Sequence, residues 1–472
     1  MSKLVTKITD RDKDFAAWYT DIVREADLAT YGSSKGMMII KPYGYAIWEN
    51  IQSVLDKEFK RFGHENVMMP LLIPESLLNI EKEHIEGFAP EVAWVTHGGH
   101  EKLEERMCIR PTSEVLFCDL YKNIIHSYRD LPKLYNQWCN VMRWEKTTRP
   151  FLRSREFLWQ EGHTMHATKE DAMEETLRML HVYEDFQRNY LALPVIVGKK
   201  TDKEKFAGAE CTYTLEAMMY NGVALQNGTS HYFGNHFAKC FNITFLDQNN
   251  ELQTPYQTSW GLSTRMIGGI IMTHGDNHGL VLPPKIAPIK VSIIPIGEGK
   301  ELSSVVEKIT KELEDIPYEI DSSDKTPGYK FAYSEVRGIP IRIEIGKRDL
   351  EKGEVTLVRR DTLEKENVRI EDAVKRAKEL FKIIQDDMYN RALKRRDEMI
   401  YDVKTYEELV DYGKNKPGFM KINICDNPDC ETKIKEDTSM KSRCIIEDES
   451  VNGPCIVCGN KATYRIYVGK QY

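Results

Sequence analysis

Arg143 and Glu145 lie two residues apart, and a strand read from Leu134 to Glu145 puts both on one face because side chains alternate with period two. After a turn-like stretch from Lys146 to Pro150, a second strand carries Arg153 and Phe157 and then, on one face, Trp159, Glu161 and His163. A guanidinium can grip a phosphate with two hydrogen bonds, a carboxylate accepts from an exocyclic amine, and an aromatic ring offers a stacking face. The hairpin therefore suits a nucleotide. Taken singly, each of these residues is better explained by the solvated face of an antiparallel sheet.

A second set lies near the C-terminus. Cys425-x-x-x-x-Cys430 and Cys455-x-x-Cys458 have the spacing of zinc knuckles, and Pro428 and Gly459 supply turn geometry. Four thiolates fill a tetrahedral site and leave no position for water, so the expected metal is a structural Zn²⁺. Cys444 is the spare. The remaining five of the ten cysteines, Cys108, Cys118, Cys139, Cys211 and Cys240, are scattered singly and read as reduced, packed thiols. His163 and His166 could pair on a metal, but no carboxylate or cysteine completes that site.

These residues need elements to hold them. With 472 residues, 41% hydrophobic and 29% charged, the chain has the composition of a globular protein of two or three domains, neither fibrous nor disordered. Met1 to Phe15 has no apolar core for a signal peptide and no stretch is long enough to span a membrane, which predicts a cytoplasmic protein with no membrane partner. A net charge of −7 argues against an overall basic coat but leaves local patches for RNA open. Between Tyr43 and Phe62, Ile47, Ile51, Val54, Leu55 and Phe59 recur at helical spacing, and a strand from Asn66 to Pro70 follows. Residues Met107 to His166 read as an antiparallel sheet interrupted by a helix at Ser113 to Ser127. After Pro283-Pro284 strands and helices alternate: Val291 to Pro295, Leu302 to Ile316, Ile341 to Ile345 and Val355 to Arg359. A charge-laced helix, Asp372 to Arg396, leads to the cysteine-bearing tail. The division predicted is 1–285, 286–400 and 401–472.

The ordered set Arg143-x-Glu145, Arg153-x-x-x-Phe157 and Gly261-Leu-Ser-Thr-Arg265 resembles motifs 2 and 3 of class II aminoacyl-tRNA synthetases, and the helix and strand ending at Pro70 resemble motif 1. Arg110-Pro-Thr-Ser-Glu114, Phe88-Ala-Pro-Glu91, Gly228-Thr-Ser-His231 and His274-Gly-Asp-Asn277 look like segments of the prolyl-tRNA synthetase family, archaeal and eukaryotic type, from Phe15 to Tyr472. The first of these strings occurs in threonyl and histidyl enzymes too. Two other strings, His97-Gly-Gly-His100 and Met440-Lys-Ser442, are similar to class I signatures, but no parallel βαβ unit accompanies them.

The resemblance implies an α+β fold: a class II antiparallel sheet flanked by helices, then an α/β anticodon-binding domain and a small C-terminal zinc-binding α/β domain. It implies activation of L-proline with ATP to prolyl-adenylate and pyrophosphate, then transfer of proline to the 3′ end of tRNA(Pro), with Mg²⁺ aiding. For ATP it implies Arg143 on the α-phosphate, Glu145 on the adenine amino group, Phe157 and Arg265 on the adenine faces, with Arg153, Gln226 and Ser263 beside them; Arg143 and Arg265 carry the catalysis. For proline it implies Thr112 and Glu114 on the ammonium, Arg143 on the carboxylate, and Trp159, Phe206 and His231 around the ring, with Glu161 and His163 behind that wall. In the second domain Lys347, Arg348 and Arg359 are the candidates for the anticodon. Motif 1 implies a homodimer, and the family tail ends on a tyrosine near the catalytic domain, here Tyr472. The segment Ala167 to Thr258 has no room for the editing insertion of bacterial-type relatives. A threonyl enzyme would need an active-site metal held by cysteine and two histidines, which the catalytic segment does not offer; a non-catalytic tRNA sensor would be free to lose Arg143, Glu145 or Arg265, and all three are present.

Overall fold

The structure, a computed structural model, describes residues 7–80 and 92–472, so the segment from Phe88 to Glu91 lies outside the described residues. Its centre is a seven-stranded sheet in the order Glu65–Asn66, Lys133–Met142, Glu156–His166, Tyr256–Ser263, Ala224–Gly234, Cys211–Met218, Ile196–Lys199. All neighbours are antiparallel except the first pair. Period two decides the faces. Trp138, Gln160 and Trp260 turn to one side, where helices Pro42–Arg61 and Lys169–Asn189 lie; Phe59 sits 5.2 Å from Trp260 and 6.0 Å from Trp138 between ring centroids. Gly162 matters here, because a Cβ on it would overlap the Trp260 ring.

Helix Pro42–Arg61 begins on Pro42, ends with Lys60 and Arg61 in its last turn, and buries Ile47, Ile51, Leu55 and Phe59 of the stripe read from the sequence, while Val54 is partly buried. The strand expected from Asn66 to Pro70 is shorter: only Glu65–Asn66 pairs, in parallel with Tyr135 and Asn136. The chain then leaves the sheet at Val67 to enter a separate three-stranded sheet through Leu72–Pro74, beside Glu101–Ile109 and Ala93–Gly98. Helix Glu114–Ile124 occupies the interruption foreseen at Ser113 to Ser127.

Beyond Pro284, a five-stranded mixed sheet runs Tyr318–Ile320, Val291–Ile296, Ile341–Gly346, Glu354–Arg359, Lys365–Arg369. The first three strands are parallel and the last two antiparallel. Helix Ala373–Glu398 packs Val374, Ala377, Leu380, Ile384 and Met388 inward. This unit is clamped to the first one: the buried Arg360 guanidinium donates to both carboxylate oxygens of Asp276 at 2.6 and 2.8 Å. The Arg360 side chain is 2% exposed, so removing Asp276 would strand a buried guanidinium at a cost of about 3–5 kcal/mol. The tail forms a four-stranded sheet, Ile400–Asp402, Phe419–Ile424, Tyr464–Gly469, Lys441–Ile445. Its end returns to the first unit, where the amide of Tyr472 donates to the Ala224 carbonyl at 3.0 Å and the Arg149 guanidinium lies 5.0 Å over the Tyr472 ring.

Candidate active site

The open face of the large sheet forms the floor of a cavity of about 200 Å³. Eleven sequence-derived residues line it: Thr112, Glu114, Arg143, Phe157, Trp159, Glu161, Phe206, Gln226, His231, Ser263 and Arg265. The parity of the strands explains the gathering, since Phe157, Trp159 and Glu161 share one face of Glu156–His166, and Ser263 faces the same way on the neighbouring strand.

Two boundaries of the hairpin differ from the sequence reading. Arg143 and Glu145 do not lie in a strand, because pairing stops at Met142 and Glu156. Arg143 is held instead by its amide on the Arg155 carbonyl at 2.7 Å and its Nε on the Pro111 carbonyl at 3.1 Å. Arg153 also precedes its strand, in a tight turn where its amide and carbonyl both bond to Arg149, at 3.0 and 2.6 Å. Arg153 is exposed, and its Nε lies 3.6 Å from Glu145 Oε1, so these two occupy the hairpin rim and not the cavity wall.

Arg265 begins helix Arg265–His274 and is anchored by two main-chain carbonyls, Leu152 at 3.1 Å and Gln226 at 3.3 Å. Burial pushes its guanidinium down to about 10, and the positive charges of Arg143 and Arg153 push the same way. The guanidinia of Arg143 and Arg265 thus converge on one end of the cavity, with Arg153 on the rim outside it, and an anion placed there would relieve their repulsion.

At the other end the wall is mostly neutral or acidic, with the Lys200 ammonium beside it. Thr112 Oγ1 donates to Glu114 Oε2 at 2.6 Å. Glu161 accepts from Ser113 Oγ and Gln137 Nε2 at 2.6 Å each and lies 2.9 Å from His163 Nε2. Burial works to raise the Glu161 carboxyl, but His163 and these donors outweigh it and hold the group below its ordinary value. His163 sits behind Glu161, stacked on Phe117 at 4.3 Å, and does not line the cavity. The Phe206 ring lies 4.7 Å from His231, whose imidazole burial pushes down to about 3, with Lys200 and His163 adding to the effect. His231 is therefore a neutral wall near pH 7.

Sequence reasoning missed Lys200, Glu204, Thr212, Asn227 and Ser259, which also line the cavity. Ser259 was within reach, being two and four residues before Gly261 and Ser263 on the same strand face. Lys200 and Glu204 carried no signal, since they follow a short strand in a stretch without a motif.

The anticodon candidates divide. Lys347 and Arg348 are exposed in the short helix Lys347–Leu350. Arg359 is paired within the unit, its NH2 group donating to Asp361 at 2.9 Å and to Asp387 at 2.6 Å.

In the tail the four thiols come together as expected. Their sulfurs all lie within 4.8 Å of one another, with Cys425 3.5 Å from Cys430 and 3.7 Å from Cys458. Zn–S bonds of about 2.3 Å put tetrahedral sulfurs roughly 3.8 Å apart, so the cluster fits Zn²⁺. Burial opposes ionisation of Cys455, but backbone hydrogen bonds at Cys458, Cys425 and Val457 prevail and bring it down to about 7, which suits a thiolate ligand. Among the described residues this is the one cluster of three or more potential metal ligands, and none involves His163 or His166.

Residues 94–274 match the family model of the tRNA synthetase class II core domain (G, H, P, S and T), residues 290–380 that of an anticodon binding domain, and residues 406–472 that of the prolyl-tRNA synthetase C-terminal region. The chain is 56% identical over 474 residues to proline–tRNA ligase of Lachnoclostridium phytofermentans, spanning 100% of this chain and 99% of the relative. It is 55% identical over 473 residues to proline–tRNA ligase 2 of Bacillus cereus, spanning 99% of each. A crystal structure of prolyl-tRNA synthetase from Cryptosporidium parvum, complexed with halofuginone and AMPPNP, superposes with a TM-score of 0.96 at 38% identity and covers 100% of both chains.

Proposed function

Since this chain belongs to the prolyl-tRNA synthetase family of class II aminoacyl-tRNA synthetases, we propose that its cavity divides between ATP at the arginine end and proline at the Thr112 and His231 end. The protein is an aminoacyl-tRNA ligase: it activates L-proline with ATP to prolyl-adenylate and pyrophosphate, then transfers proline to the 3′ end of tRNA(Pro). The single observation that carries the assignment of ends is the convergence of Arg143 and Arg265 on one end of the cavity, where burial and then the charges of Arg143 and Arg153 lower the Arg265 guanidinium and a polyphosphate would offset the charge.

The chemistry needs no protein nucleophile. An oxygen of the proline carboxylate attacks the α-phosphorus in line, the bond to the β-phosphate oxygen breaks, and pyrophosphate leaves. Arg143 touches both the α-phosphate and the carboxylate and stabilises the charge that builds on the phosphorus oxygens, and Arg265 packs on adenine and reaches the outer phosphates. Phe157 stacks on the other adenine face, Glu145 accepts from its amino group, and Arg153, Gln226 and Ser263 hold the phosphates and ribose side. Thr112 and Glu114 accept from the secondary ammonium, Trp159, Phe206 and His231 wall the ring, and Glu161 with His163 fixes that wall. In the second step the tRNA 3′ hydroxyl attacks the prolyl carbonyl and AMP departs. Mg²⁺ is assigned to the incoming nucleotide, whose phosphate oxygens supply its ligands and whose charge it offsets.

Zn²⁺ held by Cys425, Cys430, Cys455 and Cys458 is a structural staple in this reading. The domains are 1–285 for catalysis, 286–400 for the anticodon with its connecting helix, and 401–472 for the zinc module. Lys347, Arg348 and Arg359 are the anticodon candidates. A cytoplasmic location follows the thiol-rich metal site; no helix among the described residues is long and apolar enough to cross a membrane. The reading is tested by charging of tRNA(Pro) with labelled proline: proline-dependent acylation supports it, and acylation by another amino acid in preference contradicts it.

A homodimer belongs to the same reading. Tyr31, Ile39, Met68, Leu71 and Ile80 are exposed apolar side chains on segments flanking the motif 1 helix, and Met68 is 91% exposed. An isologous interface would cover them. Light scattering at micromolar concentration and moderate salt is expected to give twice the 54.7 kDa chain mass; a monomer under those conditions contradicts the dimer.

A further inference from the structure

The cavity wall on the Phe206 side is held from outside by the tail. Segment 200–206 supplies Lys200, Glu204 and Phe206 to the cavity, and it runs along the tail unit. Thr201 Oγ1 donates to Glu431 Oε2 at 3.1 Å, and Ser442 Oγ donates to the same oxygen at 2.5 Å. Lys203 Nζ donates to the Pro428 carbonyl at 2.9 Å, at the start of helix Pro428–Thr438. Gly198 brings its strand against the tail so closely that a Cβ there would lie 2.7 Å from the Ile445 carbonyl.

Beneath this contact is a buried charge cluster. Arg443, in the tail strand Lys441–Ile445, donates through Nε and NH2 to the two oxygens of Glu216 at 3.1 and 3.2 Å. Glu216 is fully buried, accepts from Thr214 Oγ1 at 2.8 Å and lies 3.7 Å from the ammonium of Lys200. Lys200 is itself buried, and its amide donates to the Thr212 carbonyl at 2.8 Å. Thr212 in turn bonds to His231 Nδ1 at 2.9 Å and accepts from the Phe206 amide at 3.0 Å. A continuous chain of short contacts therefore links the tail to both rings of the wall.

We propose that Arg443 is a positioning residue for amino acid binding: through Glu216 and Lys200 it sets the Phe206 and His231 wall, so the tail determines affinity for proline while leaving ATP affinity alone. The proposal rests on the assignment of that wall to proline. Two cations share one carboxylate in this cluster, and a bidentate guanidinium fixes both carboxylate oxygens, which leaves a single position for the Lys200 ammonium. Without that constraint Lys200 is free to extend into the cavity, and segment 200–206 loses its inner support.

Arg443→Met alone would leave the Lys200 ammonium to hold Glu216 at 3.7 Å, so the test combines it with Glu216→Gln, which removes the fork together with the carboxylate that holds Lys200. In proline-dependent pyrophosphate exchange the double variant is expected to raise the KM for proline about tenfold while the KM for ATP stays within about twofold. Arg443→Lys, which keeps the charge and loses the fork, is expected to give a smaller rise of the same kind. An unchanged proline KM in the folded double variant, or equal rises in both KM values, overturns the proposal; if the double variant does not fold, an unchanged proline KM in Arg443→Lys does so. Thr112→Ala in the same assay separates the two readings. A raised proline KM there with none in the Arg443 variants overturns only the coupling, whereas no change in either overturns the proline pocket as well.

Discussion

Replacing Arg143 by alanine is expected to abolish adenylate formation in a protein that still folds. The side chain projects past the end of its strand, bonds through Nε to one main-chain carbonyl, and holds its guanidinium 5.7 Å over Phe157 and 5.4 Å over Trp159. Nothing in the apolar core is built on it. In the proposed assignment its charge faces the position where the α-phosphate and the carboxylate meet, and that charge is most valuable as the in-line transition state forms. The loss should be on the order of 3 kcal/mol or more, which is at least about a hundredfold in kcat/KM for the exchange reaction. The same substitution relieves one of the two positive charges that depress Arg265. Thermal melting close to wild type together with lost exchange is the expected pair of results, and near-normal exchange by the folded variant removes Arg143 from the site.

The second large effect is on the metal. Cys425→Ser replaces a sulfur that lies 3.5 and 3.7 Å from two of its neighbours with a harder oxygen ligand. Structural zinc binding is worth on the order of 10 kcal/mol of folding free energy near pH 7, so losing one of four thiolates should lower tail stability by roughly several kcal/mol and release zinc. Helix Pro428–Thr438, which carries Cys430, then loosens, and with it the contact of Glu431 to Thr201. Activity should fall through that contact and not through chemistry at the metal, because four thiolates leave no open coordination position. Elemental analysis is expected to find one zinc per wild-type chain and less in the variant. A zinc-free wild-type protein whose four thiols react freely before denaturation contradicts the assignment.

The parts of the site legible in the sequence are those that obey a short local rule. Phe157, Trp159, Glu161 and His163 follow from period two, and the helix buried through Ile47, Ile51, Leu55 and Phe59 follows from helical spacing. The cysteine pairs announced themselves by spacing and met within 4.8 Å. The strand ends were less legible. Arg143 and Glu145 keep the alternation of the strand before them, yet Arg110 reaches across with its carbonyl to the Met142 amide and the hairpin opens there. What had no local rule was missed. Lys200 and Glu216, sixteen positions apart, meet through the pairing of strands Ile196–Lys199 and Cys211–Met218, and only the docking of the tail adds Arg443, 227 positions beyond Glu216. The partners of Arg359 were half legible: Asp361 is two residues away, but Asp387 comes from a distant helix and only the fold brings it to the guanidinium.

Exchange of labelled pyrophosphate into ATP, driven by single amino acids and without tRNA, bears most directly on the central claim that the arginine end takes ATP and the Thr112 end takes proline. The account predicts strong exchange with proline and none with threonine. It also predicts weak exchange with alanine, which a pocket for a larger ring rejects by only about 1–3 kcal/mol. Exchange that ignores proline, or that threonine drives as well as proline does, would contradict it.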